Sequence, residues 1–289
     1  MAKLLITGAN GQLGSEIRDL ATNDNINSYI FTDIDELDIT DLDAVCNYIQ
    51  IHKPDFIINC AAYTAVDKAE DDFELCSKIN YLAVENIAKG AKRVGAKVIH
   101  VSTDYVYGGD SSTPYVESDA TEPKSVYGST KLKGEMILID ILPEDSITIR
   151  TSWLYSTYGK NFVKTMIMLG KERASLNVVS DQRGTPTYAK DLAKAIMQIA
   201  NADKFIAGIY NYSNEGECTW YDFACEIHKI AGVECVVNPI SSKEYPTKAK
   251  RPAYSVLDKS KIKRTFGLNI PNWEESLNEC IRILISNID

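Results

Sequence analysis

Lys3-Leu4-Leu5-Ile6-Thr7 runs straight into Gly8-Ala9-Asn10-Gly11-Gln12-Leu13-Gly14, and no other stretch restricts the fold as much. The first run reads as a buried strand. Leu13, Ile17, Leu20 and Ala21 then share one face at helical spacing. Glycines three residues apart carry meaning only between a strand and a helix. There Gly8 permits the tight turn, Gly11 lets the backbone approach a pyrophosphate, and Gly14 lets helix and strand pack closely. The helix N-terminus then faces the phosphates. Asn10, Gln12 and Leu13 lie in the same turn and join the glycines as cofactor-contact candidates.

The alternation continues. A second strand over 28–32 ends at Asp33, 25 residues beyond Gly8, where a carboxylate can accept hydrogen bonds from ribose hydroxyls. No Lys or Arg occurs between Arg18 and Lys53, so nothing nearby in sequence neutralises a 2′-phosphate. NADH is therefore the expected cofactor, with NADPH also open. Asp38 and Ile39 are placed to flank the adenine, and Thr40 to cap a helix running to Ile51. A third strand over 55–59 is continuously apolar, as a doubly covered parallel strand should be. Ala61 and Ala62 behind it leave room for a dinucleotide, and Tyr63 and Thr64 extend that edge. A helix over 75–94 leads to a fourth strand over 97–102, with Ser102, Thr103, Asp104 and Tyr105 at its carboxyl end. Residues 108–124 form a loop, and a fifth strand covers 146–151.

This pattern predicts an α/β fold: a doubly wound parallel sheet of Rossmann type with a smaller, interleaved C-terminal substrate lobe. Residues 1–152 would form the dinucleotide-binding domain, with later strands near 177–182 and 208–213 added to it. Residues 153–289, broken by Pro239, Pro246, Pro252 and Pro271, would supply mainly the substrate lobe.

Between the fourth and fifth strands, Tyr127 and Lys131 stand four apart on one helix face. A lysine ammonium lowers the pKa of a nearby phenol, which would let Tyr127 exchange a proton near neutral pH. With 16 tyrosines in the chain, about one such pair is expected by chance. Placement decides its meaning, because the sheet brings Thr103, Tyr127 and Lys131 to one edge beside the cofactor's path.

A net charge of −9 argues against nucleic acid or an anionic membrane as partner. No apolar run approaches the roughly 18 residues of a membrane span, and Leu4-Leu5-Ile6 is too short for a signal peptide's apolar region. The seven cysteines are scattered without a Cys-x-x-Cys, as in a reducing compartment. A cytoplasmic location is expected. Histidines 52, 100 and 228 lack metal-ligand spacing, so no metal ligand is assigned, and His100 reads as a satisfied core histidine.

Thr7-Gly8-x-x-Gly11-x-x-Gly14, Ser102-Thr103 and Tyr127-x-x-x-Lys131 together resemble the extended short-chain dehydrogenase/reductases, over nearly the whole chain. The stretches 61–70, 102–107, 150–155 and 181–187 resemble the branch that acts on nucleotide-linked 4-keto sugars. That resemblance implies NAD(P)H-dependent reduction of the C4 ketone of a dTDP-4-dehydro-6-deoxy sugar. Tyr127 would be the proton donor, Lys131 the partner of the nicotinamide ribose, and Thr103 a donor to the carbonyl oxygen. Ser102 would border the cofactor. Val66, Asp104, Tyr105 and Trp153 would touch substrate, Trp153 being equally explained as packing at the lobe junction. Asp67, Lys68 and Glu70 read as a solvated helix face, and Tyr107, where the family has Phe, as a packing change. Some relatives hold Mg2+ through glutamates at a dimer contact; Glu16 is the one candidate, and metal and homodimer stay open. Dehydratases resembling this scaffold carry Thr-Asp-Glu where Tyr105 stands here, which favours reduction over elimination or 4-epimerisation. A non-catalytic subunit resembling the methionine adenosyltransferase β-subunit is opposed by the intact Thr103, Tyr127 and Lys131.

Overall fold

Five strands alternate with helices over the first half of the chain, in a computed structural model that describes residues 1–286. They are β1 (Lys3–Thr7), β2 (Ser28–Thr32), β3 (Phe56–Asn59), β4 (Lys97–Thr103) and β5 (Ser146–Thr151). The helices between them are α1 (Gln12–Ala21), α2 (Leu42–His52), α3 (Val66–Ala69), α4 (Phe73–Ser77), α5 (Ala83–Val94) and α6 (Val126–Ile141). The strands are mainly apolar because both faces are covered, and the pleat sorts alternate residues to opposite sides. Leu4, Ile6, Ile58, Ile99 and Ile147 pack with Leu13 and Ile17 of α1. Leu5, Ile57 and Val98 pack on the other face with Val45, Ile87 and Leu138 from α2, α5 and α6.

The helix over 75–94 is real but not uniform: α4 joins α5 through a π-helical turn at Lys78–Leu82. Asp41, not Thr40, caps α2 by accepting from the Ala44 N–H. Thr40 instead donates to the Asp38 carboxylate at 2.7 Å. Two residues with similar capping chemistry compete there, and the one adjoining the helix wins.

The remaining strands are β6 (Leu154–Tyr155), β7 (Ser175–Val179), β8 (Arg183–Gly184), β9 (Thr187–Tyr188), β10 (Gly208–Asn211), β11 (Cys218–Thr219) and β12 (Val236–Ile240). With them come α7 (Phe162–Glu172), α8 (Ala189–Ala200), α9 (Trp220–Ala231), α10 (Ser260–Phe266) and α11 (Trp273–Ser286). β10 joins β5 in parallel and completes a sheet of order β10-β5-β4-β3-β1-β2. The stretch near 177–182 does not add to that sheet. β7 pairs instead with β12, because Leu176 and Val178 bury into a separate core with Val163, Met166, Phe223 and Ile227. α8 returns to the first core through Leu192 and Ile196, which interleaves the two halves. The strand order changes direction between β1 and β3, the switch point where such sheets open a crevice for ligands.

Candidate active site

At that switch point Gly8 takes φ +65°, and a Cβ on it would lie 2.6 Å from the Ala61 nitrogen. A Cβ on Gly14 would lie 2.5 Å from the Gly8 oxygen. The turn therefore closes on the Ala61-Ala62 segment as the spacing predicts, and only glycine allows it. The N-cap of α1 is Gly11, which offers no side-chain hydrogen bond. The first-turn N–H groups, at Gln12, Leu13 and Gly14, lack helical partners by geometry and are left for an anion. The Leu13 side chain is in the core, and Gln12 accepts from Asn161 at 3.0 Å. Tyr63 is clamped through both backbone groups by Asn80 of the π turn, which holds the 61–64 segment. This cradle fits a dinucleotide.

Asp33 ends β2 and accepts from the Asn10 N–H at 2.9 Å. Arg18 corrects the expectation of no nearby cation. Its guanidinium stacks 5.0 Å from the Phe31 ring centroid and donates to the Asn10 side chain at 3.2 Å. Asn10 therefore links the two, its N–H donating to Asp33 and its side-chain oxygen accepting from Arg18, 15 residues away from Asp33 in sequence. Asp38 stays exposed and accepts from the Thr40 N–H and hydroxyl through one carboxyl oxygen, Oδ1, while the Ile39 side chain packs into the second core. Glu16 is buried, and burial raises its carboxyl pKa despite a hydrogen bond from Ser156. Lys190 acts on it as a nearby cation. Among the described residues no cluster of three His, Cys, Asp or Glu could hold a metal. The Asp19 carboxylate also acts on Glu16, and Mg2+ needs several oxygen ligands.

The reactive edge lies over β4. Ser125 caps α6 by accepting from the Gly128 N–H, and Glu70 accepts from the Val126 N–H at 2.9 Å. Thr103 donates to Asp104 at 3.1 Å and accepts from the Tyr105 N–H. Tyr105 meets Tyr127 edge to face at 5.5 Å. Burial raises the Tyr127 phenol pKa, with the Thr103 hydroxyl pulling it down and Asp104 pushing it up. The Lys131 nitrogen is turned to the Val101 carbonyl at 2.6 Å, so the expected lowering of the phenol by Lys131 is not found. Burial in turn pulls Lys131 down to about 8. Asp104 is 2% exposed, and one of its carboxyl oxygens has no partner. Its pKa is pushed up to about 6 by burial, against hydrogen bonds from Ser255 and Thr103.

The Ser102 hydroxyl donates to the buried Glu135. Glu135 also pairs with Arg150 at 2.6 Å, and Arg150 donates to the Tyr107 hydroxyl at 2.9 Å. Tyr107 therefore does more than fill space. Its hydroxyl joins a buried network that a phenylalanine could not complete.

Asp67 and Glu70 are not merely a solvated face either. Asp67 pairs with Arg251 at 2.9 Å and accepts from the Ala249 N–H, so α3 ties the 249–251 segment to the α6 end. Arg251 went unseen in the sequence, as no local pattern marks it. Its Nε is buried without a partner, and it lines two cavities. One, of about 260 Å³, also holds Tyr105, Lys124 and Lys250. The other, of about 660 Å³, is walled by Phe162, Met166, Gln182 and Trp220. Trp153 has φ +48° and stacks on Trp220 at 3.6 Å, so packing at the lobe junction accounts for it. Val66 begins α3, half-buried.

A family described as RmlD substrate binding domain matches residues 2–285. The chain belongs to that family. Its relatives include a dTDP-4-dehydrorhamnose reductase from Aggregatibacter actinomycetemcomitans, 44% identical over 96% of this chain and 97% of that one. A crystal structure of a dTDP-4-dehydrorhamnose reductase from Clostridium acetobutylicum superposes with a TM-score of 0.94 at 44% identity, covering 98% and 99% of the two chains. The Bacillus anthracis dTDP-4-dehydrorhamnose reductase, solved in complex with NADP, gives 0.93 at 39% identity over 98% and 99%. This RmlD-family chain thus matches its relatives from end to end, and no described helix is long and apolar enough to cross a membrane.

Proposed function

We propose that the chain reduces the C4 ketone of a dTDP-4-dehydro-6-deoxy sugar, converting dTDP-4-dehydro-L-rhamnose to dTDP-L-rhamnose with NADH or NADPH. The observation that carries this reading is the meeting of Thr103 and Tyr127 at the carboxyl end of β4, with a phenol rather than a carboxylate at position 105. Elimination needs an acid/base where Tyr105 stands, whereas reduction needs only a proton donor at the carbonyl oxygen. The end-to-end identity with named reductases supports the same substrate class.

When bound, the nicotinamide cofactor supplies the hydride. The first-turn N–H groups of α1 would hold its pyrophosphate, Asp33 would take the adenosine ribose hydroxyls, and Arg18 would accommodate a 2′-phosphate. Lys131, turned to the Val101 carbonyl at 2.6 Å, would swing out to hydrogen-bond the nicotinamide ribose. Thr103 donates to the C4 carbonyl oxygen and stabilises charge as it develops there. Tyr127 gives its proton to that oxygen; the raised pKa keeps the phenol protonated at neutral pH, as a donor must be. Arg251, Lys250 and Lys124, which line one cavity, would pair with the substrate's diphosphate, and the cavity walled by Phe162 and Trp220 would take its nucleoside. Residues 153–289 would supply most of that substrate lobe. Seven free cysteines suit the cytoplasm, the compartment proposed.

Mixing the purified chain with reduced cofactor and the 4-keto sugar tests this. We expect one cofactor oxidised per sugar consumed. Epimerised sugar without net oxidation would overturn the reading.

A further inference from the structure

Four neighbouring strands carry a polar row across the otherwise apolar sheet. Thr7, Asn59, His100 and Thr148 stand in register on β1, β3, β4 and β5, each 1% exposed or less. The Asn59 side-chain oxygen accepts from the Thr7 hydroxyl at 2.7 Å and from the Ala61 N–H at 3.2 Å. A backbone N–H only donates, so that atom of Asn59 must be the oxygen and its other atom the amide nitrogen. The nitrogen lies 3.1 Å from His100 Nδ1. An amide nitrogen cannot accept, so Nδ1 carries the lone pair. A neutral imidazole then carries its proton on Nε2, and Nε2 faces the Lys131 nitrogen at 3.4 Å.

An N–H donor and an ammonium repel; an N–H donor and an amine hydrogen-bond. Lys131 keeps a second contact, to the Val101 carbonyl at 2.6 Å, which an amine also satisfies. We propose that His100 is a positioning residue for Lys131: its Nε2–H, locked by Asn59, holds the lysine drawn in as an amine, and cofactor binding draws it out toward the ribose hydroxyls as an ammonium, with the proton taken from solvent. The inference rests on the reductase reading. The other groups facing Lys131 are Glu135 on its own helix, Cys76 on α4 and Cys60 after β3. Burial keeps the Cys60 and Cys76 thiols protonated at neutral pH, and Glu135 is committed to Arg150. Facing His100, Thr148 has a buried hydroxyl without a partner, and burial followed by Lys131 pushes the imidazole well below its usual pKa.

Only three histidines occur in the chain, so 15N-imidazole NMR on the intact protein reads His100 directly. We expect the neutral Nε2–H tautomer, unchanged between about pH 5.5 and 9. An Nδ1–H tautomer, or an imidazolium titrating in that range, overturns the proposal. Calorimetric titration with NADH near pH 8.5, in two buffers of different ionisation enthalpy, should show uptake of roughly half a proton or more. NADH that binds without proton uptake also overturns it, whereas a chain that binds neither NADH nor NADPH overturns the reductase reading instead. In His100→Phe we expect the uptake to fall at least twofold, which a merely structural role would leave unchanged. If that variant does not fold, the tautomer and the wild-type uptake decide.

Discussion

The two ends of the sheet's carboxyl edge are made of different material. At β1 and β2 the site is backbone: Gly8 and Gly14 let the chain approach itself, and α1 starts without a side-chain cap. At β4 and β5 it is buried side chains, with Asp104, Lys131, Glu135 and Arg150 all nearly sealed from solvent. A bare backbone turn meets its donors' needs with a ligand or with water. A buried charge has no such escape, and either pairs or shifts its pKa. Both outcomes occur here. Glu135 and Arg150 pair, with Ser102 and Tyr107 using up the remaining donors and acceptors. Asp104 does not, and its carboxyl rises to about 6. The first end is a shape, while the second stores electrostatic work that a substrate can use.

Removing one member of the buried pair should break this contrast most sharply. Glu135→Gln leaves the Arg150 guanidinium without its counter-ion, and we expect a loss of about 3–5 kcal/mol in urea unfolding. A loss below about 1 kcal/mol, the value of a surface pair, would mean that the reactive end is no costlier to build than the cofactor end. Asp104→Asn should act in the opposite direction and by less. Because the folded pKa of Asp104 lies above its unfolded value, ionising it costs stability at pH above about 6, and that cost vanishes as the pH falls below about 4. The amide should therefore stabilise the protein by about 1–3 kcal/mol near neutral pH, with the gain fading in acid, while turnover falls. Unfolding curves for variant and parent that stay parallel from neutral to acid pH would show that Asp104 carries no such cost.

The same contrast explains what could be read without a structure. β1, the glycine turn and α1 are local, and the β-branched and aromatic residues of 28–32 and 146–151 match the observed strands. Tyr127, Lys131 and Thr103 were placed on one edge by strand alternation alone. What escaped depends on partners far away in sequence. Arg18 comes to the Asn10 that also bonds Asp33 only through the packing of α1 on β2, and Arg251 enters the site through an ion pair with Asp67. Ser102 and Tyr107 belong to a network closed by Glu135 and Arg150. The 177–182 stretch had the composition of a sheet strand, but its apolar residues had a second core available. Lys131 was assigned its charge from residue type, whereas the direction of its nitrogen is set by Val101 and His100.

The most direct test of the division of labour is Tyr127→Phe, which deletes one hydroxyl from the reactive end and leaves the cofactor end intact. Cofactor affinity and single-turnover reduction of the keto sugar should be measured on the same preparation. The expected result is NADH binding within about twofold of the parent and a loss of at least about 100-fold in the chemical step. Near-parental turnover, or lost cofactor binding in a folded variant, would contradict the assignment of proton transfer to Tyr127.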